Sequence, residues 1–415
     1  MMHPRPPHPE IPVSHQNMTS MAPVSGGEAT RRLLPFALMV FLGYLTVGLP
    51  LAVLPVEVHD VLGFGPVTVG WVMAVQSITT LLTRQFGGMV TDTRGPRPAV
   101  LAGTLLCAAA SLVYGASVWA RCPPAPALAL LIAGRAVLGL GESLLITGVL
   151  AWAIGTVGPR YAGRAMVWVG IAMFGAIGIG GPLGTALMRM GGFGQVALAA
   201  SILPLLACAQ AAGMPPVAPH HGRRLAFFRV VGLIWPYGVS LALSTVGFGT
   251  MFAFLGLDYA ARGWPGAPFG LTAFGIAYIA ARLVFGGLPD RLGGRRVAVA
   301  TIPLQTAGLV VLWLAPSPWI ALAGCAIVGA GYSLTFPALG VEAARHVPPQ
   351  NRGAAMGAYV AFVDIGLGLT GPLAGAVAGR FGYPAAFLFA AGASAWALIS
   401  VLRLPAAQMV GHPET

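Results

Sequence analysis

From Leu33 to Leu404 the sequence is a succession of long apolar runs separated by short breaks rich in Gly and Pro. A membrane-spanning helix needs about 20 mostly apolar residues, because hydrocarbon offers backbone N–H and C=O groups no partner but one another. Twelve runs meet that length: 33–56, 67–90, 98–119, 127–150, 162–187 and 193–212, then 231–256, 267–289, 297–315, 318–341, 353–378 and 384–404. The breaks carry turn chemistry, among them Gly63-Phe-Gly-Pro66, Gly191-Gly192, Gly263-Trp-Pro-Gly266 and Pro316-Ser-Pro318. Only 8% of the residues are charged, against roughly a quarter in soluble domains. The expected fold is an all-α membrane protein of twelve transmembrane helices.

The net charge is +12 at pH 7, and all 23 basic residues are Arg. In a soluble protein that balance would invite nucleic acid, so the placement of the charge decides its meaning. If the runs alternate in direction from Leu33, sixteen arginines share one side, Arg31, Arg32, Arg94, Arg97, Arg223, Arg224, Arg295 and Arg296 among them. Only Arg121, Arg189, Arg262 and Arg380 fall on the other. This asymmetry follows the positive-inside rule and makes the arginine-rich side, with both termini, cytoplasmic. The charge orients the chain in a bilayer and makes no case for nucleic acid.

Residues 1–30 read as a disordered tail, 213–230 as a polar, Pro-rich linker and 405–415 as a second tail, leaving six runs in 31–212 and six in 231–404. The eight His lie outside the runs and the four Cys show no ligand spacing, so no metal site is expected.

The two sets of six are copies. Gly88-Met-Val-Thr-Asp92-Thr-Arg94-Gly95-Pro-Arg97 recurs 198 positions later as Gly286-Gly-Leu-Pro-Asp290-Arg291-Leu-Gly293-Gly-Arg295, and the same offset pairs Arg84 with Arg282. An offset of 190 pairs Gly139-Leu-Gly141 with Gly329-Ala-Gly331, and Gly181-Pro182-Leu183 with Gly371-Pro372-Leu373. Steady offsets across several helices mean two homologous halves in parallel orientation, an arrangement typical of secondary transporters.

On these residues the chain after position 30 resembles the major facilitator superfamily. The doubled loop is similar to that family's Gly-x-x-x-Asp-x-x-Gly-x-Arg signature between helices 2 and 3, with an echo between helices 8 and 9. Arg135-x-x-x-Gly139-x-Gly141 resembles its helix 4 motif, and Gly178-x-x-Gly181-Pro182-x-Gly184 the helix 5 motif of drug and proton antiporters. The nearest branch is the bacterial arabinose-efflux-permease-like group. The resemblance implies a monomeric carrier in the bacterial inner membrane, and a loop in which Asp92 and Arg97 latch onto the start of helix 11 near Arg352-Gly353.

A charge in mid-membrane costs about 2.5–3.5 kcal/mol on insertion scales, so each one calls for a partner or a wet cavity. The cases are Arg84, Arg135, Glu142, Arg282 and Asp364. Glu142 follows Arg135 by two helical turns on one face, and it is the first proton-site candidate; a fixed Arg135–Glu142 pair, or a hydrogen bond from Glu142 to a neighbouring helix, is the alternative. Asp364 is the second acid, free to titrate, to meet a cationic substrate, or to pair with Arg282 or Arg84. Glu142 and Asp364 do not recur in the repeat, where Tyr332 and Phe174 stand in their places. Arg84 and Arg282 do recur, as do Gly88, Asp92, Gly95 and Arg97 in Gly286, Asp290, Gly293 and Arg295, and these read as gate and scaffold. Tyr44, Gln76, Trp168, Tyr278, Tyr332 and Tyr359 are candidates for the cavity wall. Gly181-Pro182 and Gly371-Pro372 are expected to bend helices 5 and 11, while Glu57, Asp60 and Asp258 read as solvated caps at helix ends.

The function these features suggest is proton-coupled efflux of a small organic compound by antiport, with uptake of a sugar or organic acid by symport as the alternative and a non-transporting sensor as a third reading. A chain without Lys has no P-loop, so ATP drive by that route is excluded. No catalytic arrangement and no cofactor are expected.

Overall fold

The computed structural model describes residues 26–120, 123–217, 227–347 and 352–404. The expected tails up to residue 25 and from 405, and the middle of the linker, lie outside the described residues.

The first half comprises α1 (Gly26–Leu51), α2 (Pro66–Arg94), α3 (Pro96–Ser117), α4 (Pro124–Val157), and a helical stretch Ala162–Ala212 that holds α5 (162–190) and α6 (193–212). The second comprises α7 (Phe227–Ala261), α8 (Ala267–Phe285), α9 (Gly294–Leu314), α10 (Pro318–Arg345), α11 (Arg352–Phe381) and α12 (Tyr383–Arg403). Eleven helical stretches are long and apolar enough to cross a membrane, and Ala162–Ala212, at 51 residues, is one of them. A straight helix of that length would run about 75 Å, more than twice a hydrocarbon core of about 30 Å. It turns instead at Gly191 and Gly192, and the positive φ of 72° at Gly192 is open to a residue without a Cβ. Two crossings in that stretch bring the described total to twelve.

Helix starts follow local chemistry. Pro66, Pro96, Pro124 and Pro318 occupy first positions, where the missing N–H costs nothing. α1 begins at Gly26, so the last residues of the expected tail are helical; Glu28 in its first turn pairs with Arg32 at 2.5 Å and favours the helix dipole. α7 likewise begins at Phe227, inside the expected linker. In the doubled loops Gly95 and Gly293 have φ of 93° and 86°, which accounts for glycine at both positions. Helices α5 and α11 continue through Pro182 and Pro372.

Within the first half α1 packs on the α5–α6 stretch and α4 packs on α2 and α3; within the second, α10 packs on α8 and α9, and α7 on α11 and α12. The halves meet along two seams, α2 on α11 and α5 on α8. The outer helices α3, α6, α9 and α12 present exposed Leu112, Leu206, Leu314 and Trp396, a surface suited to lipid tails and to no aqueous phase.

Both seams are tight on the side opposite the arginine-rich one. Backbone meets backbone where Gly70 faces Gly371 and Gly375 faces Pro66, and the Thr272 hydroxyl of α8 donates to the Gly178 carbonyl of α5 at 2.7 Å. Small residues permit this approach, and dispersion rather than hydrophobic burial holds helices together in lipid. On the same side the Tyr383 hydroxyl of α12 lies 3.2 Å from His59 Nε2, beyond α1. Glu57 and Asp258, expected as solvated caps, are instead buried; Asp258 pairs with Arg262 at 3.0 Å one helical turn away.

Candidate transport site

Glu142 stands on α4 and accepts from two helices at once. The Tyr44 hydroxyl of α1 donates to Oε1 at 2.5 Å, and Gln76 Nε2 of α2 donates to Oε2 at 2.7 Å, with the Thr80 hydroxyl farther off at 3.4 Å. Both carboxylate oxygens are thus met by donors, the arrangement an ionised acid accepts. Hydrogen bonding to neighbouring helices, the other alternative to a proton site, is thus present.

The Arg135–Glu142 pair, one alternative to a proton site, does not form. Arg135 is buried and turns to α2, where its Nε donates to the Val72 carbonyl at 3.2 Å and its Nη2 to the Met73 carbonyl at 2.9 Å. A shared helix face sets where two side chains begin, and a guanidinium on a flexible stem reaches whichever acceptors lie close. Arg135 therefore binds α4 to α2 and takes no part with the acid.

Asp364, on α11, crosses the seam. Its Oδ2 accepts from Arg84 Nε at 2.9 Å and from Nη2 at 2.5 Å, and the two side chains keep 8% and 18% of their exposure. Of the two arginines the repeat offered as partners, the one in the opposite half takes the acid. The charge of Glu142 is also felt at Asp364, and Tyr44 lies in the fields of all three groups. Glu142, Tyr44, Arg84 and Asp364 form one electrostatic cluster spanning both halves.

The other seam is built differently. Arg282, the repeat of Arg84, donates from Nη2 to the Tyr278 hydroxyl at 2.5 Å, with its Cζ 5.2 Å from that ring's centroid. Where Asp364 would have its counterpart stands Phe174, whose ring centroid lies 3.9 Å from that of Tyr278 and near those of Phe248, Phe274 and Tyr332. The Tyr332 hydroxyl bonds Thr245 at 3.1 Å, and the Tyr359 hydroxyl donates to the Phe336 carbonyl at 2.8 Å. On the arginine-rich side a cavity of about 660 Å³ opens between α1, α5 and α8, with Leu38, Phe41, Trp168, Gly175 and Ile279 in its wall. Trp168 is thus a wall residue, while Tyr44 and Gln76 serve Glu142.

Two loop arginines bond inside their own halves. Arg97 Nη2 donates to the Ala212 carbonyl at the end of α6, and Arg295 Nη2 donates to the Leu402 carbonyl at the end of α12, at 2.9 Å. Cations suit helix C-termini, whose last carbonyls have no helical partner. Arg97 thus clasps α6; the expected latch of Asp92 and Arg97 at Arg352-Gly353 falls on side chains that, like that of Asp290, lie outside the described residues. Glu342, overlooked in the sequence, is buried at the end of α10 and accepts from the Arg295 backbone N–H at 3.2 Å and from Arg345 at 3.3 Å. Its signal was present: it is the one acid between Asp290 and Asp364.

The family model described as Major Facilitator Superfamily matches residues 36–261 and 234–414. A protein of Burkholderia mallei (strain SAVP1) named as an uncharacterized MFS-type transporter is 45% identical over 382 residues, covering 90% of this chain and 92% of its own. A like-named protein of Pseudomonas aeruginosa (strain LESB58) is 45% identical over 365 residues, with 88% and 91% covered. Among solved structures, the human organic anion transporter MFSD10 (TETRAN) superposes with a TM-score of 0.69 at 15% identity, over 90% of this chain and 99% of its own. A mutant of the nucleoside transporter NupG gives 0.70 at 13%, over 89% and 99%. Two six-helix halves joined at α2–α11 and α5–α8, a doubled Gly-Asp-Gly-Arg loop and these relatives lead to one conclusion: the chain is a multi-pass membrane transporter of the major facilitator superfamily.

Proposed function

We propose that the protein is a proton-coupled secondary transporter of the bacterial inner membrane, monomeric, with its arginine-rich side and both termini in the cytoplasm, exporting a small organic compound by antiport. The observation that carries the reading is the Arg84–Asp364 ion pair, which joins α2 to α11 across the seam and, among the described residues, has no equivalent in the other seam. Protonating Asp364 removes one of the two charges, and the link between the halves weakens with it. A proton on this acid and the closure of the seam are then one event, as alternating access requires. Glu142, in the same electrostatic cluster, is the site from which the proton reaches or leaves Asp364, with Tyr44 and Gln76 holding it in place. The antiporter-like stretch Gly178-x-x-Gly181-Pro182-x-Gly184 supports export. The fold does not select the substrate: by their names, the two solved neighbours carry organic anions and nucleosides.

Everted vesicles with an acid interior provide the test. Export by antiport predicts that a transported compound entering the vesicle dissipates the gradient, and that Asp364→Asn and Glu142→Gln abolish the response. A gradient unaffected by any transported compound, or unchanged responses in both variants, would refute proton coupling. A compound that leaves the vesicle together with protons would identify symport.

A further inference from the structure

The α5–α8 seam holds a charge that the transport reading leaves unused. Arg282 keeps 8% of its exposure, its Nε has no hydrogen-bond partner, and among the described residues no carboxylate pairs with it. Among the described residues its one hydrogen bond is to the Tyr278 hydroxyl. A buried cation in a membrane helix calls for a partner or a wet cavity, and Arg282 lacks the two carbonyl acceptors that Arg135 has. Arg84, at the same repeat position, is supplied with Asp364, whereas the matching position before Arg282 is filled by Phe174. The repeat shows how the site is completed by an acid, and here the protein has put an aromatic ring instead.

The surroundings agree. The cavity on the arginine-rich side reaches Gly175 and Ile279, the residues immediately after Phe174 and Tyr278. The Phe174 and Tyr278 rings, 3.9 Å apart between centroids, are buried one residue along each helix from that wall, with the guanidinium next to the Tyr278 hydroxyl. A guanidinium fork pairs with a carboxylate through two parallel hydrogen bonds, and aromatic faces receive a flat apolar body.

We propose that Arg282, Tyr278 and Phe174 form the substrate's anchoring site, and that the substrate is an organic monocarboxylate with a flat aromatic body. The inference rests on the transport reading for there being a substrate at all; it adds the class and the anchoring residues. Binding the carboxylate supplies the missing counter-charge of the α5–α8 seam, so the two seams carry the two ligands: the proton at Asp364 and the anion at Arg282.

The test is binding to the purified full-length chain in detergent, read by thermal shift and tryptophan fluorescence. The probes are benzoate, phenylacetate and naphthoate, set against their amides and against phenethylamine. At least one carboxylate is expected to bind below about 1 mM and its amide at least about tenfold more weakly. Arg282→Gln is expected to abolish carboxylate binding, and Arg282→Lys, which keeps the charge and loses the fork, to weaken it about tenfold. Because Arg282→Gln tests a buried residue, a second pair reads the same site: Phe174→Asp furnishes the acid from the protein itself and abolishes binding, while Phe174→Asn, without the charge, weakens it by about fivefold. The proposal is overturned if no carboxylate in the set binds, if amides bind equally well, or if Phe174→Asp and Phe174→Asn bind alike. Binding needs no gradient, so the two readings fail separately. A carboxylate bound through Arg282 that moves no protons in proteoliposomes refutes the coupling alone, and proton-driven movement of phenethylamine without carboxylate binding refutes the anion site alone.

Discussion

Arg84 and Asp364 stand 280 residues apart in the chain and share two hydrogen bonds, from Nε and from Nη2, to one carboxylate oxygen. The contact ties the second helix of one half to the eleventh helix of the whole, and each residue is the other's means of staying charged in a bilayer. Removing one partner of a buried pair costs about 3–5 kcal/mol, because the survivor is left uncompensated. Arg84 retains 18% of its side-chain exposure, so Asp364→Asn is expected to cost less, about 2 kcal/mol. A lowered unfolding temperature in detergent checks this, and the exchange of the two residues, Arg84→Asp with Asp364→Arg, is expected to recover most of the loss. An exchanged protein as unstable as the single variants would contradict the pairing.

Tyr44→Phe removes one of the donors to Glu142 and leaves the ring in place. A hydrogen bond to a charged group contributes about 1.5–3 kcal/mol, so proton-coupled transport should fall at least about tenfold with little change in folding. Glu142→Gln should abolish the proton flux outright. If Tyr44→Phe transports at the wild-type rate at every pH, the hydroxyl has no role in the acid's function.

Arg97 and Arg295 clasp α6 and α12 in separate halves. Replacing either with Ala is expected to cost about 1 kcal/mol, and the double variant should show the sum to within about 0.5 kcal/mol, since the sites share no partner. Denaturation of the two single variants and the double variant measures it. A strong departure from additivity would mean that the loops communicate across the seams.

In α1 and α5, a Cβ added to Gly48 would stand 2.6 Å from the Ala176 carbonyl oxygen, while one added to Gly170 would meet nothing within 4 Å. Gly48→Ala is therefore expected to destabilise by about 1–3 kcal/mol, and Gly170→Ala to be neutral or to stabilise by up to about 1 kcal/mol. Equal unfolding temperatures for the two variants would contradict this packing of α1 on α5.

What was legible in the sequence was whatever repeats or whatever the bilayer forbids. Run length and the scarcity of charge gave twelve crossings, and Gly191-Gly192 already marked the turn that splits the long helical stretch. The doubling of Gly95 in Gly293 was legible as gate or scaffold, and the positive φ at both accounts for glycine there. Partners were not legible. Arg135 and Glu142 lie two turns apart on one face, yet the arginine reaches carbonyls of α2, and nothing in the linear order reveals those acceptors. Asp364 had two arginines at equivalent repeat positions, and only the juxtaposition of α2 with α11 decides between them. Glu57 and Asp258 lay near run ends, where solvent is the natural expectation, but neighbouring helices cover them.

Where Gly70 meets Gly371, no side chain of either residue stands between the two helices. Most helix contacts are interlocked like gear teeth, and turning one helix against the other means lifting every tooth into a new rotamer. A contact of smooth main chain has no teeth to lift. A rotation of α2 against α11 at that point would displace no side chain of Gly70 or Gly371, on the side of the membrane opposite the Arg84–Asp364 pair.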